Sequence, residues 1–137
     1  MDNCIFCKIV KGEIPCYKVY EDADVLAFLD ISQTTKGHTL VIPKEHFDNI
    51  LYCPKDILSK VMDVVQKIAQ ASITTLGAKG VNIINNTNAI AGQTVMHFHV
   101  HVIPRYSEDD SLKIEFNSNK LDKLNLPAIA ENLSKKL

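Results

Sequence analysis

Residues 96–105 constrain this chain most, because histidines alternate there with apolar residues. The apolar residues are mainly Val, Ile and Phe, which favour β-strands, so the pattern predicts a strand over residues 95–103. Side chains alternate between the two faces of a strand, so His97, His99 and His101 share one face. The residues between them point to the opposite face and are predicted core residues: Phe98, Val100 and Val102. Three imidazoles on one face are costly for stability alone, so this face is predicted to line a polar site.

Two kinds of site fit these histidines. Neighbouring histidines at i and i+2 can share a zinc ion. At about 3.3 Å per residue, however, the outer two lie about 13 Å apart along the strand, so at least one has another task. Imidazole can also act as nucleophile, base and acid near neutral pH, and it can attack phosphorus covalently. Residues 92–94, Gly-Gln-Thr, precede the histidines and offer N–H, amide and hydroxyl groups to an anion.

Composition limits the classes of protein that the chain can belong to. A length of 137 residues predicts a single domain over residues 1–137 with a real core. The net charge of −1 argues against a nucleic acid partner. We expect no membrane partner and no signal peptide, because the sequence has no apolar stretch of spanning length and no basic region before an apolar one. The expected location is the cytoplasm, where four cysteines favour a metal or reactive thiols over disulfides.

Apolar periodicity predicts the order of elements. Residues 19–21 and 25–29 form a hairpin, residues 30–37 a polar loop, and residues 38–42 a strand that Pro43 ends. A three- and four-residue apolar stripe predicts one long helix over residues 54–76. A strand at 81–85, a loop at 86–92, an irregular tail at 107–126 and a short C-terminal helix at 127–136 complete the order. The prediction is an α+β domain: an antiparallel sheet with one long helix packed on one face. The histidine face is left for a ligand or a partner subunit.

Residues 91–103, Ala-Gly-Gln-Thr-Val-Met-His-Phe-His-Val-His-Val-Ile, resemble the signature of the histidine triad (HIT) family. The likeness extends to residues 4–10 with their Cys-x-x-Cys, and it covers about residues 4–106. Further matching segments are residues 12–15, 21–22, 27–31 and 37–44, followed by His46. The tail, residues 107–137, is not covered. The resemblance implies a HIT-like α+β fold, a homodimer with two nucleotide sites, and chemistry on the α-phosphate of nucleotide conjugates.

The resemblance also implies roles for individual residues. His99 is the nucleophile that forms a nucleotidyl-histidine intermediate, His101 contacts the phosphate and shuttles a proton, and His38 orients the cluster. Asp30 holds the ribose hydroxyls, as a carboxylate does in other nucleotide sites. The other implied nucleotide contacts are Asn86 and, at the phosphate and leaving group, Gln93 and Thr94. Two residues line the base pocket or are plain core residues: Phe6 and Ile31.

Cys4 and Cys7 supply half of a tetrahedral zinc site, or are two partly buried thiols in an N-terminal turn. Family branches with this pair resemble nucleotidyltransferases in which a His beyond the third strand and the first triad His complete the site. The implied set here is Cys4, Cys7, His46 and His97, holding zinc in a structural role, with no catalytic metal required. The remaining cysteines are predicted packing residues: Cys16 and Cys53.

These features predict a nucleotide hydrolase or transferase that acts through His99 on a purine nucleotide phosphoramidate or a related AMP conjugate. Residues 93–95 and 103–105 also resemble the dinucleoside polyphosphate hydrolase branch, which is the enzymatic alternative. A nucleotide-binding protein with little turnover and a zinc sensor or store are the others. A homodimer is expected through the helix at 54–76 and the strand at 81–85, because the helix is apolar beyond one stripe. The alternative is that its extra apolar residues cover the tail helix.

Overall fold

The computed structural model describes residues 3–117 and 124–137. Five strands form one antiparallel sheet in the order β1-β2-β3-β5-β4, with a long helix, α2, on one face. The elements in chain order are α1 (Ile5–Val10), β1 (Lys18–Glu21), β2 (Val25–Leu29), β3 (Thr39–Pro43), α2 (Lys55–Leu76), β4 (Gly80–Ile84), β5 (Val100–Arg105) and α3 (Leu126–Ser134). The predicted α+β architecture is confirmed. Within the two described ranges, no helix combines the length and the apolar character needed to cross a bilayer.

Helix α2 forms the main core with the sheet. Its apolar side chains recur every three or four residues, so one stripe of the helix faces the strands. The helix begins one residue later than the predicted 54–76, because Pro54 is its N-cap, and Gly77 ends it in the left-handed region. The buried residues of this core are Val25, Ala27, Val41, Val61, Val64, Val65, Ile68, Phe98, Val100 and Val102. The predicted core positions between the histidines therefore lie under α2.

The opposite face of the sheet is partly covered by a helix that the sequence did not predict. The expected N-terminal turn is α1, in which the Cys4 thiol accepts a hydrogen bond from the main-chain N–H of Cys7. Phe6 of α1 is buried in a second apolar cluster, with Leu26, Phe28, Leu40 and Ile42. The histidine face is thus not wholly left for a ligand, because α1 covers one part of it.

The histidine segment is a regular strand only from Val100, so the predicted bounds of 95–103 are wrong at both ends. Pro104 continues β5 and pairs with Val81 of β4. Its carbonyl accepts a hydrogen bond from Thr35 Oγ1 at 2.6 Å, on the side away from β4. The N and O atoms of one strand residue face the same side, so the missing N–H of Pro104 also faces away from β4. The β3 ladder has ended there, at the pair of Thr39 with Val102.

Pro43 likewise belongs to its strand, so β3 runs one residue later than the predicted 38–42. Its carbonyl accepts a hydrogen bond from Nε2 of His97 at 2.8 Å. Strand β4 begins one residue earlier than predicted, and α3 covers most of the predicted 127–136. A single 3₁₀ turn, Ala89–Ala91, interrupts the predicted loop at 86–92. Part of the predicted irregular tail lies outside the described residues.

Candidate active site and metal centre

The main-chain carbonyl of His97 orients the ring of His99. His99 Nδ1 lies 2.7 Å from this oxygen, and a carbonyl can only accept, so the ring hydrogen is on Nδ1. The lone pair of a neutral ring is then on Nε2. His99 is buried, and this burial lowers its pKa. A neutral imidazole with an available Nε2 is the form that attacks phosphorus.

His101 makes a ring-to-ring hydrogen bond with His38, the residue that was predicted to orient the histidine cluster. His38 Nε2 and His101 Nδ1 are 2.9 Å apart. The main-chain N–H of Thr34 points at His38 Nδ1 at 3.3 Å, so His38 carries its hydrogen on Nε2 and donates it to His101. His101 therefore has its own hydrogen on Nε2. Burial, followed by the nearby rings of His99 and His38, lowers the pKa of His101 to about 4.

Asp30 begins the loop that carries His38. Its main-chain N–H donates to the carbonyl of His38 at 3.0 Å, and its Oδ1 accepts from the main-chain N–H of Ser32 at 2.8 Å. Gln33 Nε2 donates to the carbonyls of Asp30 and His38, at 2.6 and 2.8 Å. Asp30 Oδ2 lies 3.7 Å from His38 Nε2. The loop thus holds a carboxylate beside the His38–His101 pair.

An apolar cavity of about 160 Å³ opens beside Asp30. Phe6 and Ile31, the two candidate base-pocket residues, both line it. Phe6 also meets His99 edge to face, with ring centroids 5.2 Å apart. Ile31 is 86% exposed, so it forms a rim rather than a wall. The other lining residues are Ile5, Ile9, Ile14, Pro15, Cys16, Phe28, Leu29 and Leu40.

The two residues predicted at the phosphate, Gln93 and Thr94, and the predicted nucleotide contact Asn86 lie in different surroundings. The Gln93 side chain is buried and engaged: Nε2 donates to the carbonyls of Asp48 and Val95, and Oε1 accepts from the main-chain N–H of Asn88. Its amide therefore shapes the loop. Asn86 packs against Gly92, where a Cβ would lie 3.4 Å from Asn86 Nδ2. Thr94 is exposed in a cleft that Cys4, His46 and Asp48 also line.

The four predicted metal ligands come together. Cys4 Sγ lies 3.4 Å from His97 Nδ1, and Cys7 Sγ lies 3.3 Å from His46 Nδ1 and 3.6 Å from His97 Nδ1. Tetrahedral zinc, with bonds of about 2.3 Å to sulfur and about 2.05 Å to nitrogen, separates such atoms by about 3.6 Å. All four ligand atoms lie within 4.8 Å of one another. The set fits a closed Cys₂His₂ zinc site.

The ring tautomers of both histidines suit the same site. His97 Nε2 faces the Pro43 carbonyl at 2.8 Å, so Nε2 carries the hydrogen and the Nδ1 lone pair faces the thiols. His46 Nε2 meets Asp48 Oδ1 at 2.8 Å, which likewise leaves Nδ1 free to bind metal. A carboxylate or carbonyl behind a histidine is the usual support for a metal ligand. The four side chains are therefore arranged so that they could hold a metal ion.

Sequence reasoning missed several residues that build this site. Asp48 follows His46 by two residues, and this His-x-Asp spacing was a usable signal. Gln33 gave no such signal, because its role depends on how the loop closes. The contributions of Thr34 and Pro43 come from the main chain and are independent of side-chain identity.

Comparison with known proteins agrees with this geometry. The sequence model of the HIT domain matches residues 11–108. The chain belongs to the HIT family. It is 52% identical over 109 residues to "Protein hit" of Bacillus subtilis, covering 80% of this chain and 75% of that protein. It is 40% identical over 135 residues to adenosine 5'-monophosphoramidase hnt1 of Schizosaccharomyces pombe, covering 98% of both.

Solved HIT structures have the same fold. A HIT family protein from Bacillus anthracis superimposes with a TM-score of 0.93 at 50% identity, over 99% of this chain and 98% of that one. A zinc-bound histidine triad family protein from Mycobacterium smegmatis gives a TM-score of 0.77 at 38% identity, over 98% of both chains. These structures confirm the predicted HIT-like fold.

Proposed function

We propose that this HIT protein is a nucleotide hydrolase or transferase that acts on the α-phosphate of purine nucleotide conjugates of the AMP phosphoramidate type. The observation that carries the proposal is the bond from His99 Nδ1 to the His97 carbonyl, at 2.7 Å, which frees Nε2 for attack. His101 lies beside it, with ring centroids 5.0 Å apart. The 40% identity to a monophosphoramidase over almost the whole of both chains supports the substrate class.

The proposed reaction has two steps. His99 Nε2 attacks the α-phosphorus, an N–P bond forms, and the bond from phosphorus to the leaving nitrogen breaks. The leaving nitrogen gains one proton and departs as an amine. Water then attacks phosphorus, the bond to His99 breaks, AMP leaves and the water gives up one proton. We propose that His101 passes this proton in both steps: with the anionic substrate bound, its imidazolium form gives the Nε2 hydrogen to the leaving nitrogen, and the neutral ring then takes up the proton of the attacking water.

The cavity supports a nucleotide as the substrate. Phe6 and Ile31 offer apolar contact for a purine ring, and Asp30 stands at the cavity rim, where its carboxylate can accept hydrogen bonds from ribose hydroxyls. The His38–His101 pair lies next to this carboxylate. A base, a ribose and an α-phosphate laid along this line would reach His99, as the proposal requires.

We further propose that Cys4, Cys7, His46 and His97 hold one structural zinc ion. Four protein ligands leave no open coordination position for water, so the ion supplies rigidity to the site. It would tie α1 to the segment after β3 and to the histidine segment. Unpaired thiols persist in a reducing compartment, which is consistent with the expected cytoplasmic location.

A homodimer is part of the proposal. Strand β4 ends the sheet, so one side of it has no strand partner within the described residues. Ile83 on this strand and Met62 and Ile73 on α2 are about two-fifths exposed. Helix α3 buries none of its own residues, so it does not account for the extra apolar positions of α2. A second copy of the chain would cover both elements.

Rapid quenching of turnover, followed by mass spectrometry, tests the covalent step. The parent protein should carry one adenylyl group on His99 during hydrolysis of an AMP phosphoramidate. His99→Ala and His99→Asn should lose the adduct and turnover while calorimetry still detects AMP binding, because only a ring nitrogen at this position can carry the nucleotidyl group. Substantial turnover by the Asn variant would overturn the mechanism.

Parallel assays decide the substrate class. An AMP phosphoramidate and a diadenosine polyphosphate are hydrolysed side by side, each with and without a chelator. We expect the higher kcat/KM for the phosphoramidate. The reverse order would assign the chain to dinucleoside polyphosphate hydrolysis, and negligible turnover of both with tight AMP binding would make it a binding protein.

A further inference from the structure

Asp30, His38 and His101 form a second cluster of potential metal ligands, separate from the cysteines. One ligand atom from each residue lies within 4.8 Å of the other two. His38 is buried, while the other two side chains are partly exposed. The reaction proposed above uses these three residues without a metal, so a metal ion bound to them would have a different role from a catalytic cofactor.

The spacing of this cluster suits a small divalent ion. Zinc bonds to nitrogen and oxygen are about 2.0–2.2 Å long, so tetrahedral ligand atoms lie about 3.4 Å apart. His38 Nε2 is 2.9 Å from His101 Nδ1 and 3.7 Å from Asp30 Oδ2. Shifts of about half an ångström or less would bring both distances to the tetrahedral value. Three protein ligands would leave one position for water.

Charge and softness also suit a transition-metal ion. Two imidazoles and one carboxylate are ligands that zinc and cobalt accept readily, whereas magnesium and calcium prefer oxygen ligands. We propose that these three residues bind Zn²⁺ or a similar divalent transition-metal ion, and that the bound ion inhibits the protein. The inhibitory part rests on the proposed function, because the ion would occupy the carboxylate and the imidazole assigned to ribose and phosphate.

One hydrogen atom must move for the ion to bind. In the metal-free protein, His38 carries its hydrogen on Nε2, between the two rings. A bound ion takes this place, so the hydrogen moves to Nδ1 of the same ring and no net proton is released. The N–H of Thr34 then loses its acceptor, a contact of 3.3 Å. This loss makes the site weaker than the Cys₂His₂ site, where both rings already have the required tautomer.

Cobalt titration separates the two sites, because thiolate ligands give Co²⁺ a near-ultraviolet charge-transfer band that nitrogen and oxygen ligands lack. The parent protein should bind two Co²⁺ ions in sequence, the first with the thiolate band and the second with visible bands only. Excess AMP should displace the second ion alone. Zn²⁺ added beyond one equivalent should inhibit turnover competitively with the nucleotide substrate.

Variants assign the second ion. Asp30→Asn and His38→Asn should weaken the second binding step at least about tenfold. Asp63→Asn, an exposed carboxylate change on α2, should leave it unchanged. Retention of the thiolate band in every variant shows that the fold is intact. One ion in the parent, or a second ion unaffected by Asp30→Asn and His38→Asn, would overturn the site. A second ion that AMP does not displace would overturn the inhibition, and a parent inactive without added metal would instead count against the proposed function.

Discussion

Replacing Asp48 with alanine tests the proposed zinc site through a residue that is not itself one of the four proposed ligands. Asp48 Oδ1 accepts the hydrogen of His46 Nε2 at 2.8 Å, and the Asp48 side chain is 60% exposed. Losing such an outer partner weakens metal binding by about 10–100-fold. Each tenfold step is about 1.4 kcal/mol, so binding should weaken by about 1.4–2.8 kcal/mol.

This change in affinity becomes a change in Tm. Zinc that binds only the folded chain stabilises it by RT ln(1 + [Zn]/Kd), so at fixed excess zinc the stability falls by the same amount. For a chain of this length, about 1 kcal/mol corresponds to about 4 °C, which gives a fall of about 6–11 °C. Without zinc, Asp48→Ala removes only an exposed polar contact. The metal-free Tm should therefore change little, because exposed pairs contribute about 0–1 kcal/mol.

Asp63→Ala is the matched control. The Asp63 side chain is 59% exposed and pairs with Lys67 at 3.0 Å, away from the metal centre. Zinc affinity is measured by competition with a chelator, and Tm by thermal unfolding with and without zinc. An Asp48→Ala protein that binds zinc as tightly as the Asp63→Ala protein would refute the reasoning.

Three further perturbations test the assembly, the packing and the charge network. Ile83→Glu places a charge on the edge strand β4 and should convert a dimer to a monomer in light scattering; a monomeric parent would refute the interface. Gly37→Ala and Gly12→Ala both strain a positive φ, but only at Gly37 does a new Cβ come within 2.5 Å of Leu76 Cδ1. Gly37→Ala should therefore cost about 1 kcal/mol more in denaturant unfolding, as overpacking does, and equal losses would contradict the packing. Main-chain hydrogen bonds, followed by Arg105, lower the pKa of Asp110 in the folded protein. The stability that this carboxylate contributes is therefore present above its unfolded pKa of 3.8, and it is lost as the pH falls through the lower folded pKa. Asp110→Asn should flatten this acid limb in urea titrations, and an unchanged limb would contradict the prediction.

Much of the architecture could be predicted, because apolar periodicity determines which side of an element is buried. The stripe on α2 and the alternation at Phe98, Val100 and Val102 both lie in the main core. Helix α1 was missed because six residues are too few to show a helical period. The prediction ended this strand at residue 103 because a proline usually ends a strand. The missing N–H of Pro104, however, faces a side on which no strand of the described residues pairs with it.

The candidate site was predictable where it rests on motifs and not where it rests on loop closure. The resemblance to the family predicted that Cys4, Cys7, His46 and His97 lie together and that His38 lies with the triad histidines. The structure brings both groups together. Gln93 was expected at the phosphate, but its amide is buried in contacts with main-chain atoms. Hydrogen bonds from Gln33 and to Pro43 depend on segments distant in sequence, which periodicity and local spacing do not reveal.

The carbonyl that orients His99 belongs to residue 97, and every amino acid carries this group. The imidazole of the same residue is what the metal cluster needs. A change of side chain at position 97 therefore removes a proposed zinc ligand without removing the acceptor that sets the tautomer of His99. Substitution at position 97 would therefore test the proposed zinc ligand while the proposed nucleophile, His99, keeps its hydrogen on Nδ1. Residue 97 therefore carries both the proposed metal ligand and the carbonyl that orients His99, but only the ligand depends on the identity of its side chain.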